Sequence, residues 1–345
     1  MTVKPTIACV IRTLNEAKYL KETIRRIYLQ EGVHVYVIIV DSGSTDQTVQ
    51  IALDMKCIVK TIHSSEWSWG RALNVGIEGV DADFIFLTSA HCFFPTNQEL
   101  LKAIRLMQNL DVLYGQHIPI PDVDPFEEFE LYQSFPDEDF VDLSYDAIFN
   151  GRGVGISNAC CLFRTTVWHR LTFDESLSSA EDFYWALEAS KLNFRIAYSS
   201  QIKLYHSHPL DIQTIYKRWY FRAREILKLM HGSNILRMNV KRRILLKARR
   251  QFPVLFSTYV FYKDYSAMHR FFARHHYMKA SHIWSFLLIK HTAVFFANKD
   301  YYKNQMDVRY NDTLAIPRFI KKRFSSLEAS MDFVQGLTPE NIPFH

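Results

Sequence analysis

Residues 6–107 carry the pattern that most restricts what this chain can fold into. Short apolar runs rich in β-branched residues each end in a polar loop, and a stretch with helical spacing follows. Residues 6–12 (TIACVIR), 35–40 (VYVIIV), 58–62 and 84–88 (FIFLT) read as strands. Residues 17–30 place Leu20, Ile24 and Ile27 on one helical face, and Gly32 closes that helix. Further helices are expected over 46–55, 70–79 and 99–107. Strands that alternate with helices are joined by crossovers, which gives an α/β fold with a mostly parallel sheet flanked by helices. In such sheets ligands gather outside the carboxyl ends of the strands. The polar loops 13–16, 41–46 and 89–91 are therefore expected at one rim.

Beyond residue 110 the alternation weakens. Pro119, Pro121 and Pro125, set among many acids, predict a long, mobile connection. The acidic tract 122–142 suits either an acceptor-side loop or a solvated surface. From residue 211 the pattern is helical, with a break at His231, Gly232, Ser233 and Asn234. Charge divides the chain in a similar place. Residues 1–210 hold 17 Lys and Arg against 27 Asp and Glu, a net of −10. Residues 211–345 hold 24 against 9, a net of +15. Two regions with different surface partners follow from this, expected as 1–231 and 232–345.

The densest basic stretch, 237–250, interleaves Arg and Lys with Ile, Leu, Met and Val. It reads as a basic amphipathic helix. Its basic face is either solvated on a bundle packed against the first half or set against an anionic membrane surface; nucleic acid is not among the expected partners. No run of about 18 apolar residues is present, so no spanning helix is expected. The five cysteines, Cys9, Cys57, Cys92, Cys160 and Cys161, lack paired spacing for a disulfide framework or a zinc site. With an N-terminal apolar stretch too short for a signal peptide, a reducing cytoplasmic location is expected, with peripheral contact to the inner membrane face.

Asp41, Ser42, Gly43, Ser44, Thr45 and Asp46 end one strand and open a helix. Ser44 and Thr45 suit helix capping, and Asp46 suits a first helical turn. Asp41 is not needed for capping and is free to accept from a nucleobase or a ribose hydroxyl. No phosphate-binding GxxxxGK[ST] loop and no GxGxxG follows the first strand, which argues against an ATPase or a nicotinamide enzyme.

The segments VIRTLNE, VDSGSTD and GRALNVG, the Glu181-Asp182 pair in SSAEDFYWAL, and His206-Ser207-His208 are similar, in order and spacing, to glycosyltransferase family 2. That is a large inverting family with the GT-A fold, and the resemblance covers roughly residues 6–210. It is nearest to a bacterial rhamnosyltransferase-like subset in which Ser-Ala-His stands where others have Asp-x-Asp. The resemblance implies an inverting glycosyltransferase moving a hexosyl or deoxyhexosyl group from a nucleoside diphosphate sugar to a carbohydrate or lipid-linked acceptor, as in bacterial surface polysaccharide synthesis. It assigns donor contacts to Thr13, Asn15, Glu16, Asp41, Arg71, Asn74, Ser89 and His91. It makes Asp182 the base, with Glu181 beside it.

The family's last Asp-x-Asp carboxylate binds a divalent metal, Mn²⁺ or Mg²⁺. Here His91 replaces it, and imidazole suits Mn²⁺ better than Mg²⁺. Either His91 and a histidine of the 206/208 pair, His206 preferred, hold a metal, or a protonated His91 or Arg71 meets the leaving diphosphate directly. Ser178, Ser179 and the helix dipole are expected to keep Asp182 ionised. The glycine-rich residues 151–155 and Asn158 lead toward the sugar and acceptor pocket or form a plain turn. Trp67 and Trp69 stack on a ligand or are buried. The rivals are a nucleotide-sugar-binding protein without catalysis and a peripheral membrane scaffold. A nucleotidyltransferase would need a glycine-rich basic loop after the first strand, where this chain has Arg12, Thr13, Leu14, Asn15 and Glu16.

Overall fold

A computed structural model describes residues 4–121, 125–150, 155–206, 211–231, 247, 250–251, 253–275, 280–303, 314–328, 339 and 342–344. One eight-stranded sheet organises the first 206 residues. Its strands are β1 (Thr6–Thr13), β2 (His34–Asp41), β3 (Ile58–Thr61), β4 (Phe84–Ser89), β5 (Cys92–Phe93), β6 (Val112–Ile118), β7 (Cys160–Arg164) and β8 (Ile196–His206), in the order β3-β2-β1-β4-β7-β6-β8-β5. The middle strands are covered on both faces, which explains their near-continuous apolar runs. Ala8, Val10, Ile38 and Val40 belong to one core, and Cys9, Ile11, Val37 and Ile39 to the other.

Strand direction decides where the site lies. β1 is parallel to β2 and β4, and β2 is parallel to β3. β7 runs antiparallel to both β4 and β6, while β8 is parallel to β6. So β1, β2, β4, β6 and β8 all point the same way. Their carboxyl ends bring Thr13, Asp41, Ser89, His117 and His206 to one edge. The expected parallel half is present; β7, and the short β5 antiparallel to β8, make the whole sheet mixed.

Helices α1 (Ala17–Tyr28), α2 (Thr48–Asp54), α3 (Trp69–Ile77) and α4 (Glu99–Leu106) connect the early strands. α1 buries Leu20, Ile24 and Ile27, as its spacing predicts, but ends at Tyr28, and Gly32 (φ 76°) serves the turn into β2. The two glycines of GRALNVG are set by close approach. A Cβ on Gly76 would lie 2.4 Å from Val10 Cγ1, and one on Gly70 would lie 2.4 Å from the Asp174 carbonyl oxygen.

The proline-rich stretch is not one long connection. Pro125 opens α5 (Pro125–Ser134), at a position where its missing N–H costs nothing. α6 (Tyr145–Asn150), α7 (Thr165–Arg170) and α8 (Glu181–Lys191) follow. The helical layer comprises α9 (Ile212–His231), α10 (Pro253–His275), α11 (Ala280–Tyr302) and α12 (Arg318–Glu328). Its core joins Phe126 and Phe129 of α5 to Tyr216, Phe221, Phe272 and Phe286. Most of the basic stretch 237–250 lies outside the described residues.

Candidate active site

On the β1–β2 side the loops satisfy one another locally. Asp41 is buried at the end of β2. Its Oδ1 accepts from the Thr13 hydroxyl at 3.0 Å and from the Ser44 hydroxyl, and its Oδ2 accepts from the N–H groups of Gly43 and Ser44 at 3.0 and 2.9 Å. Asn15 sits at φ 56°, the left-handed region that asparagine tolerates. Its Oδ1 accepts from the Thr45 N–H at 2.8 Å, and its own N–H donates to Ser44 Oγ at 2.8 Å. Ser44 and Thr45 are therefore loop ties. The helix starts are served by Asp46, which accepts from Ala17 and Thr48 N–H groups, and by Thr48, which accepts from the Glu16 N–H. These bonds hold the Asp46 carboxyl below its usual range.

Glu16 then reaches the next strand end, where Oε1 lies 3.2 Å from His91 Nδ1. Ser89 closes β4 in register with Arg12. Arg12 was absent from the sequence-derived donor contacts. Its Nη1 lies 2.9 Å from Glu181 Oε1 and its guanidinium covers the Trp69 ring at 4.7 Å. Trp69 meets Trp67 edge-on at 4.7 Å. The ion pair, nearly buried on both sides, ties the end of β1 to the start of α8.

Glu181 is thus engaged by Arg12, and Asp182 is the carboxylate left for chemistry. The expectation that Asp182 is readily ionised does not hold. Burial first, and the Glu181 charge second, push its carboxyl up to about 7. The Phe183 N–H, 2.7 Å from Oδ1, and the charges of Arg222 and Arg12 pull the other way without cancelling the rise. Ser178 is not a cap. Its hydroxyl is held by Arg224 (2.8 Å) and Glu225 of α9. The N-cap is Ala180, which sits left-handed at φ 61° with no side-chain cap. A non-glycine residue there stores backbone strain beside the carboxylate pair.

The third part is a histidine cluster. His91 and His206 rings lie 5.2 Å apart. Ligand atoms of His91, Cys92 and His206 all fall within 4.8 Å of one another. Strand β5 pairs Cys92 with His206, which fixes that proximity through the backbone. His208 lies outside the described residues. His117, at the end of β6, is a member that no motif in the sequence marks. Its Nδ1 lies 2.8 Å from His206 Nδ1. Burial pushes its imidazole down to about 3, so it stays neutral. A lone histidine in an apolar strand becomes informative only once β6 and β8 are known to be neighbours.

The two imidazoles suit Mn²⁺ better than Mg²⁺, and the Glu16 carboxylate stands against His91 Nδ1. The Cys92 thiol, pushed up to about 12 by burial, is a weak partner by comparison. Arg71 and Asn74 point elsewhere. Arg71 pairs with Glu175 (3.2 Å) and Glu66 (3.4 Å), so its charge is shared with two exposed carboxylates. Asn74 donates to the Phe173 carbonyl and to Glu175, and accepts from Trp168 Nε1 and the Phe173 N–H. It brackets 168–175 onto α3. Residues 151–154 lie outside the described residues. Asn158 is 2% exposed, and neither end of its amide has a hydrogen-bond partner among the described residues.

Two family profiles match the chain. "Glycosyl transferase family 2" matches residues 8–167, and "Glycosyl transferase family group 2" matches 94–302. The chain is 23% identical over 220 residues to the O-antigen chain rhamnosyltransferase RfbN of Salmonella typhimurium, covering 62% of this chain and 70% of that protein. It is 25% identical over 189 residues to WbaN of Salmonella anatum, also an O-antigen chain rhamnosyltransferase, covering 53% of this chain and 60% of that one. Among solved structures, the Pyrobaculum calidifontis mannosyltransferase PcManGT, in complex with GDP-Man and Mn²⁺, matches with TM-score 0.56 and 14% identity over 88% of this chain and 89% of that one. S. aureus TarS 1–349 matches with TM-score 0.51 and 18% identity over 88% and 93%. At such identities these two structures speak for the fold alone, which is the GT-A architecture.

Proposed function

We propose a donor, an acceptor and a base for this chain, which belongs to glycosyl transferase family 2. The donor is a nucleoside diphosphate sugar carrying a hexosyl or deoxyhexosyl group. The acceptor is a carbohydrate or lipid-linked hydroxyl in bacterial surface polysaccharide synthesis, a reading supported by the similarity to two O-antigen chain rhamnosyltransferases. The observation that carries the reading is the Arg12–Glu181 ion pair. It joins the rim that holds Asp41 and Glu16 to the helix that carries Asp182.

Asp182 acts as general base. A carboxyl raised toward neutrality by burial is a better proton acceptor, when ionised, than an ordinary aspartate. It takes the proton from the acceptor hydroxyl as that oxygen attacks the anomeric carbon. The bond from that carbon to the diphosphate oxygen breaks, and its electron pair leaves with the β-phosphate. Asp41 and the 13–16 backbone hold the nucleoside, Ser89 meets the ribose, and His91 faces the diphosphate. The buried Asn158 amide suits a sugar hydroxyl. His91 and His206, with Glu16 beside them, would hold Mn²⁺, which when bound supplies positive charge to the leaving diphosphate.

Among the described residues no helix is long and apolar enough to cross a membrane. Peripheral contact is supported by Val254, Tyr259, Tyr262 and Trp284, all more than half exposed on α10 and α11, and by the +15 net charge of residues 211–345. The experiment is a panel of nucleoside diphosphates and their sugars, with and without Mn²⁺, read by thermal unfolding. A ligand bound only by the native state raises the melting temperature by mass action. The expected result is a shift confined to one base, followed by sugar transfer from that donor. No shift with any member, in either metal condition, would contradict the reading.

A further inference from the structure

We propose that His117 is a positioning residue. Its Nδ1 accepts a hydrogen bond from His206 Nδ1, fixing the His206 ring beside His91 and leaving His206 Nε2 with a lone pair for a cation. This rests on the reading that a cation binds at His91 and His206.

The backbone prepares the contact. β6 and β8 are parallel, and their register slips between Gly115 and Gln116: Gly115 pairs with Ser199, but Gln116 pairs with Lys203. The loop is held by Asp139, which accepts from the Ser200 N–H at 2.7 Å, from Gln201 Nε2 at 2.8 Å and from the hydroxyl of the still-paired Ser199 at 3.0 Å. A bulge of this kind re-aims the side chains that follow it. After it, His117 aligns with Leu204. Aligned residues share a face, and His206, two residues past Leu204, shares it too.

The side chains complete the case. Only one proton fits between two Nδ1 atoms 2.8 Å apart. If His117 donates, His206 carries its proton on Nε2 and cannot ligate. If His206 donates, Nε2 is the ligand, which is the arrangement of metal-bound imidazoles whose other N–H is tied to a fixed acceptor. His117 is built to be such an acceptor. It is 2% exposed, its ring stacks on Phe135 at 3.8 Å and 12°, and its Nε2 has no hydrogen-bond partner among the described residues. The bond to His206 is thus the single hydrogen bond of its ring among the described residues. A buried imidazole with one polar contact is a poor packing choice beside Leu or Phe.

The test is Mn²⁺ affinity, read by paramagnetic resonance of free Mn²⁺ in the full chain, without donor or acceptor. Thermal unfolding serves as the folding control. His117→Gln fills the volume but carries its amide past the Nδ1 position, and is expected to weaken binding about 10–100-fold. His117→Asn returns an acceptor near the Nδ1 position and is expected to bind close to wild type. His117→Gln with wild-type affinity, or His117→Asn as weak as His117→Gln, would overturn the proposal. Wild-type protein that binds no Mn²⁺ would overturn it together with the cation reading. Nucleoside diphosphate binding measured in metal-free buffer reports separately on the glycosyltransferase reading.

Discussion

The two sides of the site are built differently. The nucleotide rim is local: Asn15, Glu16, Asp41, Ser44, Asp46 and Thr48 bond among themselves across two adjacent loops. The reaction side is assembled from afar. Arg12 meets Glu181 across 169 residues, His117 meets His206 across 89, and Arg222 of α9 acts on Asp182. On the rim, Asp41 and Asp46 are each tied by several loop hydrogen bonds. The reaction side keeps a carboxyl held against its ordinary ionisation, a left-handed alanine and an imidazole with one polar contact. The first side is tied by short-range bonds and the second by long-range ones, the pattern of a rigid scaffold that carries a strained centre.

The comparison breaks most sharply at Arg12. Arg12→Met leaves the Glu181 carboxylate buried without its partner, and a loss of about 3–5 kcal/mol is expected in chemical denaturation. It also removes one of the charges that lower the Asp182 carboxyl, so the activity profile should move to higher pH. An unchanged profile would show that the two sides are not coupled through this pair. On the rim, Asp41→Asn disturbs four hydrogen bonds to a carboxylate. A smaller loss, about 1.5–3 kcal/mol, is expected, with weaker nucleotide binding by calorimetry.

The pH dependence tests the reaction side directly. The folded-state carboxyl of Asp182 lies above its unfolded value. Its contribution to stability is therefore complete below the unfolded value, near 4, and is lost as pH rises through about 7. Activity that needs the ionised base should rise over the same interval. The Asp182→Asn variant should lose that part of the pH dependence of unfolding. An activity limb near pH 4 would contradict the raised carboxyl. The smallest effect is expected at Ala180. Glycine has no Cβ penalty at φ 61°, so Ala180→Gly should stabilise by about 1 kcal/mol, read from the denaturation midpoint. A destabilised variant would mean that the left-handed turn carries no strain.

What the sequence revealed follows the same division. β1, β2 and β4 were plain because strands covered on both faces leave unbroken apolar runs. The three rim loops followed from the carboxyl-end rule. Asp41 was legible as a strand-end carboxylate, whereas the ties made by Ser44 and Thr45 looked like helix caps, because both uses favour the same residue types. β7 was hidden, since an antiparallel strand in a mixed sheet has no pattern of its own. Arg12 lay within a recognised segment, but nothing near it in sequence gives it a partner. The opposite error arose at Asp182: first-turn serines and a helix dipole argue for ionisation, and only the fold reveals the burial that outweighs them. Pro125 read as a breaker because proline both ends helices and begins them.

The central claim is that Asp182 removes the acceptor proton at a pocket that binds donor independently of it. Single-turnover sugar transfer by Asp182→Asn, measured beside donor affinity, tests this most directly. The account expects transfer to fall about 10²–10⁴-fold while donor affinity stays at the wild-type value. Transfer at the wild-type rate would contradict it.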